Sequence, residues 1–253
     1  MLLTTVKGLV LRETPIGEAD KLFDLFTENG VLSVRARGVR KAGSKYAAVT
    51  QSFAYGEYCL RQNGDFYYLD SAVPISLFYG IRSDLEALAL CAYFSELIRK
   101  TATNQPEPQR LRLFLHCLHY LSEQTRPIPQ IKAIFELRLV TDLGHMPNLL
   151  CCSVCGEFLP EQLTLRITDG DFLCRDCAVR SDGPEFPVRS AVLLAARHIV
   201  FSEFEKLFLF KLDADNLRQL CAYSEAYLRH SLDISCKTLQ FYHSVAADSN
   251  PTP

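Results

Sequence analysis

The sequence predicts an α+β multidomain chain, in which a small N-terminal β-barrel precedes an α-helical domain interrupted by a loop of paired cysteines. Three observations carry that expectation. The first eighty residues alternate with the two-residue period of half-buried strands, and from Ser83 onward the apolar period lengthens to that of helices. Between two helical stretches lie two knuckles, Cys152-x2-Cys155 and Cys174-x2-Cys177, separated by eighteen residues.

The strands follow in order. Leu9-Val10-Leu11 is a short apolar run, and Lys21 to Thr27 is a second strand that ends at the turn Glu28-Asn29-Gly30. Val31 to Arg37 alternates: Leu32, Val34 and Ala36 face one way, Arg35 and Arg37 the other. Phe53 to Leu60 and Phe66 to Val73 form a hairpin around Asn63-Gly64, a strong turn signal. Five short strands in about eighty residues suit a Greek-key barrel better than a sandwich.

The helices come next. Ser83 is the expected N-cap of a helix over Asp84 to Lys100, and Asn104 to Pro108 is a break. Leu111, Phe114, Leu115 and Leu118 step at i, i+3, i+4, i+7, the spacing of a core-facing helix. Pro127 and Pro129 open a helix that runs to Leu143 and stops at Gly144. Ser181 to Pro187 reads as a turn-rich linker, Ser190 to Phe201 as a helix, and Leu217, Leu220, Cys221, Ser224 and Leu228 as a further helix face. The expected domains are therefore a barrel over 1–80, a helical domain over 81–150 and 181–245, the cysteine loop over 151–180, and a polar, frayed tail over 246–253.

Four thiolates match the soft-ligand, tetrahedral preference of Zn²⁺. Cys152, Cys155, Cys174 and Cys177 therefore predict an embedded four-cysteine zinc-binding loop holding one structural ion. Gly156 is free to turn the backbone behind the first knuckle. Cys151 offers an alternative register, but only Cys152 reproduces the x2 spacing of the second knuckle. A filled four-thiolate site leaves no position for an activated water, so the ion staples and does not catalyse. A segment of about thirty residues cannot order itself on apolar burial alone, which is why a staple is useful there.

Composition narrows the function classes. Hydrophobic residues make up 48% of the 253 and charged residues 22%, as in a globular chain. No apolar run is long enough to span a bilayer, the start lacks a signal-peptide pattern, and the remaining cysteines are scattered among apolar residues; a cytosolic protein without a membrane partner is expected. The net charge of −2 argues against a general polyanion binder. That average hides an asymmetry: Asn29 to Gly56 contains no acidic residue, and Arg35, Arg37, Arg40, Lys41 and Lys45 cluster within it. Such a stretch makes a phosphate-binding footprint on an otherwise acidic chain, though an ordinary solvated face has the same composition.

Other candidates are weaker. Tyr55, Phe66, Tyr67 and Tyr68 could stack on bases; Phe66 and Tyr68 share one strand face and Tyr67 the other, with the outer face undetermined. His116 and His119 lack the following carboxylate of a metal-binding helix motif. Asp20 with Asp24, and Asp169 with Asp171, read as solvated acids. No Walker loop or nucleophile elbow is present, so catalysis is not expected.

Several separate stretches resemble the bacterial RecO recombination mediator family. They are Gly8-Leu9-Val10-Leu11-Arg12, Gly17-Glu18-Ala19-Asp20-Lys21, Leu25-Phe26-Thr27, Ala36-Arg37-Gly38, and Phe135-Glu136-Leu137-Arg138-Leu139 leading through Leu143-Gly144-His145 and Pro147 to Cys152 and Cys155. The resemblance implies an OB-fold barrel, a helical domain and a zinc loop. It implies a non-enzymatic DNA repair mediator that binds single- and double-stranded DNA, anneals strands, and helps load RecA together with RecR. It also implies contact with the C-terminal tail of single-strand-binding protein, for which Lys132 and Arg138 are candidate contacts. The alternative is a zinc-stapled protein–protein adaptor without direct DNA binding.

Overall fold

Five strands close into a barrel in the computed structural model of the chain, which describes residues 2–64, 66–103, 105–178 and 185–249. They are β1 (Leu2–Ile16), β2 (Asp20–Thr27), β3 (Gly30–Ala36), β4 (Tyr55–Asn63) and β5 (Phe66–Ser76). Helices α1 (Leu85–Thr101), α2 (Pro108–Glu123) and α3 (Ile128–Asp142) follow, then strands β6 (Gln162–Arg166), β7 (Asp171–Cys174) and β8 (Glu185–Arg189), and finally α4 (Ser190–Phe201), α5 (Ala214–Leu232) and α6 (Lys237–Ser249). The chain divides into two units: Met1–Gln124 with Cys236–Pro253, and Thr125–Ser235.

In the first unit the strand order is β1-β2-β3-β5-β4, with β4 pairing back to β1. All pairs are antiparallel except β3 with β5, where Val34 lies opposite Tyr67 and Arg35 opposite Tyr68. This is the OB-type barrel expected. Val10, Phe23, Leu25, Val34, Tyr58 and Leu60 fill its interior, and the Tyr58 hydroxyl donates to the Val49 carbonyl at 2.7 Å, so its polar tip is satisfied. The Leu9-Val10-Leu11 run is entirely buried because both faces of β1 are covered there, and β1 carries a bulge between Val10 and Arg12. Val10 enters the barrel core, while Leu11 lines a hollow outside it together with Leu88 and Ala92 of α1.

Asp84, and not Ser83, caps α1, its carboxylate accepting from the Ala87 N–H at 3.1 Å; Ser83 belongs to the preceding single turn, Tyr79–Ser83. Phe94 and Phe114 meet edge to face between α1 and α2, with ring centres 5.8 Å apart. The expected frayed tail is partly a helix: residues 246–249 complete α6, which Glu96 of α1 holds by accepting from the Thr238 N–H and hydroxyl. Residues 250–253 lie outside the described residues.

In the second unit α3, α4 and α5 accompany a three-stranded sheet of order β7-β6-β8. The linker expected over Ser181 to Pro187 ends differently. Glu185–Arg189 is an edge strand in which Pro187 faces Thr164, a place where a missing N–H is tolerated; residues 181–184 lie outside the described residues. The helix expected from Pro127 to Leu143 is α3, and ten of its fifteen residues are buried.

Candidate nucleic-acid interface and candidate metal centre

The acid-free stretch leaves the barrel at the end of β3 and returns at β4, and the segment before β2 shapes it. The Asp20 carboxylate accepts from Gly38 N–H at 3.0 Å and from Arg35 Nη2 at 2.7 Å and Nε at 3.2 Å. The Gly38 amide, followed by Arg35, holds the Asp20 carboxyl below its ordinary range. Gly38 reaches this geometry with φ near +67°, a conformation most side chains resist. Arg40 N–H donates to the Ala19 carbonyl at 3.0 Å and its guanidinium to the Gly17 carbonyl at 2.8 Å. The Gly17-to-Lys21 stretch is therefore a brace for the basic loop. Asp20 and Asp24 are not the solvated acids expected: Asp24 pairs with Arg12 and Arg99, and on the other pair Arg166 engages both Asp169 and Asp171.

The five cations of the loop differ in how they are held. Arg35 is tied to Asp20, and Arg40 is exposed but anchored at Gly17. Arg37, Lys41 and Lys45 are exposed; the Arg37 guanidinium lies 5.1 Å over the Tyr68 ring, and the Lys45 ammonium 4.9 Å over Tyr46. The structure also decides the aromatic faces. Tyr67 packs against the barrel core, Tyr55 is half-buried, Phe66 is 66% exposed, and Tyr68 lies on the outer face with Arg35 and Arg61. Arg61 escaped the sequence reading because it lies far along the chain; its signal is the register that places it opposite Tyr68.

Lys132 and Arg138 do not offer free surface charge, which corrects the expectation attached to them. Lys132 is buried, with Nζ 2.8 Å from both Glu136 and Glu225, and the Ser224 hydroxyl donates to Glu136 at 2.6 Å. Desolvation pulls the Lys132 ammonium towards neutrality, yet the two carboxylates together hold its pKa above the ordinary value; burial raises that of Glu136. Arg138 donates to the carbonyls of Ile199, Val200 and Ser202 at the C-terminal end of α4, where a helix concentrates partial negative charge.

The two knuckles converge. The sulfurs of Cys152, Cys155, Cys174 and Cys177 all lie within 4.8 Å of one another, and those of Cys155 and Cys174 are 3.6 Å apart. A tetrahedral ion with metal–sulfur bonds of about 2.3 Å needs sulfurs roughly 3.8 Å apart, so the four donors fit a metal ion. Burial alone would raise the Cys152 thiol, but N–H groups of Cys155, Cys174 and Val154 outweigh it and lower its pKa to about 6. Hydrogen bonding with Cys174 and Cys155 pushes Cys177 up to about 12. A bound cation favours the thiolate form at all four positions. Gly156, with φ near +78°, turns its N–H onto the Cys152 carbonyl at 2.9 Å. Arg197 of α4, which sequence reasoning missed, donates to the carbonyls of Leu149, Leu150 and Phe158 and lies 4.2 Å over the Phe158 ring, locking the knuckle's flanks. Among the described residues these four cysteines are the group able to hold a metal ion; His116 and His119 join no such group.

A closed OB-type barrel joined to helices and a four-cysteine knuckle defines the class of protein. Family models described as recombination protein O, N terminal, and recombination protein O, C terminal, match residues 1–78 and 82–240. The chain is 32% identical to the DNA repair protein RecO of Acetivibrio thermocellus, covering 92% of this chain and 94% of that one. It is 28% identical to the DNA repair protein RecO of Bacillus subtilis, covering 95% and 94%, and 30% identical to that of Rubrobacter xylanophilus, covering 79% and 81%. The chain belongs to the RecO family of DNA repair proteins. Among the described residues no helix is long and apolar enough to cross a membrane.

Proposed function

We propose that this chain is a non-enzymatic recombination mediator of the cytoplasm, active at the nucleoid during repair. It binds single- and double-stranded DNA, promotes annealing, and with RecR helps load RecA onto strands coated by single-strand-binding protein, whose C-terminal tail it contacts. The observation that carries this reading is the braced, acid-free basic loop on the barrel, with Arg37, Lys41 and Lys45 exposed. Annealing requires no bond-making by the protein. Cations that neutralise phosphates let two strands approach, and the affinity comes largely from released counterions. A mixture of Arg forks and Lys point charges suits backbone contact without sequence readout. The ion held by Cys152, Cys155, Cys174 and Cys177 is proposed to be one structural Zn²⁺, which elemental analysis of the purified protein checks as one zinc per chain.

The functional test is fluorescence anisotropy of a labelled single-stranded oligonucleotide across a salt series, with wild type and the Arg37/Lys41/Lys45→Ala variant. Binding should weaken with salt. If each lost cation faces one phosphate, the variant's log–log slope should be shallower by about 2, since each phosphate contact on a single strand contributes about 0.7. Absent or salt-insensitive binding by the wild type sinks the reading and leaves the protein-only adaptor.

A further inference from the structure

The barrel register assembles a row that the linear sequence scatters. Arg35 on β3 lies opposite Tyr68 on β5, and Tyr68 lies opposite Arg61 on β4. Their chain neighbours Val34, Ala36, Leu60, Tyr67 and Leu69 point into or pack against the barrel core, so the row itself faces outward. Arg35 is occupied by Asp20, but Arg37 swings over Tyr68 in its place. Arg37, Arg61, Asn63, Tyr68 and Leu69 line a hollow of about 140 Å³. Arg61 reaches Asp70 only through a 3.4 Å contact across exposed surface, while its Nε has no hydrogen-bond partner. Beside the hollow, Phe66 pairs with Asn63 and leaves its ring exposed.

We infer that this hollow is a stacking site for one unpaired nucleobase, with Tyr68 and the Arg37 guanidinium that lies over its ring as the platform and Arg61 flanking them. The inference rests on the proposed DNA binding and deepens it by naming a strand preference. An aromatic ring beside planar guanidinium groups accepts any base, because each base offers a π-face, and the cations lie where the adjoining phosphates would run. A base in a duplex has its faces covered by its neighbours and cannot enter. Tyr68 therefore favours single strands over duplex, whereas Lys41 and Lys45 serve both.

The chain contains no tryptophan, so Tyr68→Trp introduces a single indole at the platform. In the full-length protein, its emission should be quenched by oligo-dT and change little with a duplex of equal length. Anisotropy with Tyr68→Ala should show the ratio of single-strand to duplex affinity falling roughly tenfold, with the salt slope kept. Tyr68→Phe, which retains the ring, should restore the ratio. An unquenched indole under bound oligo-dT, or a Tyr68→Ala variant whose single-strand and duplex affinities stay in the wild-type ratio, overturns the stacking site while leaving the mediator reading intact. A wild type that binds neither form of DNA overturns both.

Discussion

Arg37, Lys41 and Lys45 stand on the outside of the barrel, whereas on α3 of the second unit Lys132 is buried between two carboxylates and Arg138 is half-buried, with one guanidinium nitrogen donating to main-chain carbonyls. The difference between the two groups comes from the elements that carry them. A barrel strand has one wet face and alternates, so Arg35 and Arg37 can be placed outside by counting residues. A helix buried on most sides has no wet stripe, and a Lys on it is either paired or ruinous. The basic loop acts through what it shows to solvent, and the second unit's polar groups act by holding that unit together. Removing interior groups should then harm stability, and removing displayed ones should harm DNA affinity.

The largest effect should come from the thiolate centre. Cys152→Ser, or removal of the proposed ion by a strong chelator, is expected to lower the unfolding midpoint by roughly 10 °C or more, because structural metal binding supplies folding free energy. Circular-dichroism melts with and without chelator read this out. If the ion is only a staple, the chelated protein below its midpoint keeps its DNA affinity. A loss of DNA binding matching that of the Arg37/Lys41/Lys45→Ala variant would break the comparison, since it would make the centre part of the interface.

Lys132→Ala comes next. It leaves Glu136 and Glu225 facing each other without their shared cation, and breaking a buried pair in this way costs about 3–5 kcal/mol, measurable by urea unfolding. The double variant Lys132→Met/Glu136→Leu should recover much of the loss, because apolar replacements of similar volume remove the desolvation penalty along with the charges. By contrast, Lys41→Ala on the displayed side should move stability by no more than about 0.5 kcal/mol. A large loss at Lys41 or none at Lys132 would erase the distinction.

The same contrast explains what could be read in the chain beforehand. Strand alternation, the Asn63-Gly64 turn and the cysteine spacing are local signals, and the barrel, its β4–β5 hairpin and the four-sulfur cluster follow from them. The bulge at Leu11 was not legible, because an uninterrupted apolar run makes sense only once α1 covers the outer face of β1. The strands β6 to β8 are four or five residues long and form through pairing beside the knuckles more than through their own pattern. Helix α6 did carry a signal, Leu239, Tyr242 and Val245 at three-residue spacing, all buried, which the polar tail after it obscured. The roles of Asp20 and Arg197 depend on partners 18 and up to 48 residues away, which no window along the chain shows, whereas the Arg61–Tyr68 pairing follows once the register of the β4–β5 hairpin is fixed.

The smallest effect, and the sharpest test of how a displayed loop is held, is at Asp20. Its carboxyl is held below the ordinary value by the Gly38 amide and by Arg35. A depressed folded-state pKa contributes stability that is present above the unfolded value of about 3.9 and is lost as pH falls through the folded one. The tether on Gly38 should therefore be intact at neutral pH and weaken only in acid, below pH about 4. Amide exchange at Gly38, followed by NMR through an acid titration, should accelerate in that window beyond the intrinsic chemistry. Asp20→Asn should remove the acid-induced step, because its amide oxygen accepts from Gly38 without titrating, and should leave Arg35 without its ion-pair partner. The consequence for DNA is small and directional: with Arg35 released, the salt slope of Asp20→Asn should steepen slightly. A shallower slope would mean that the brace, by fixing where Arg37 and Arg40 stand, matters more to binding than the one charge it neutralises.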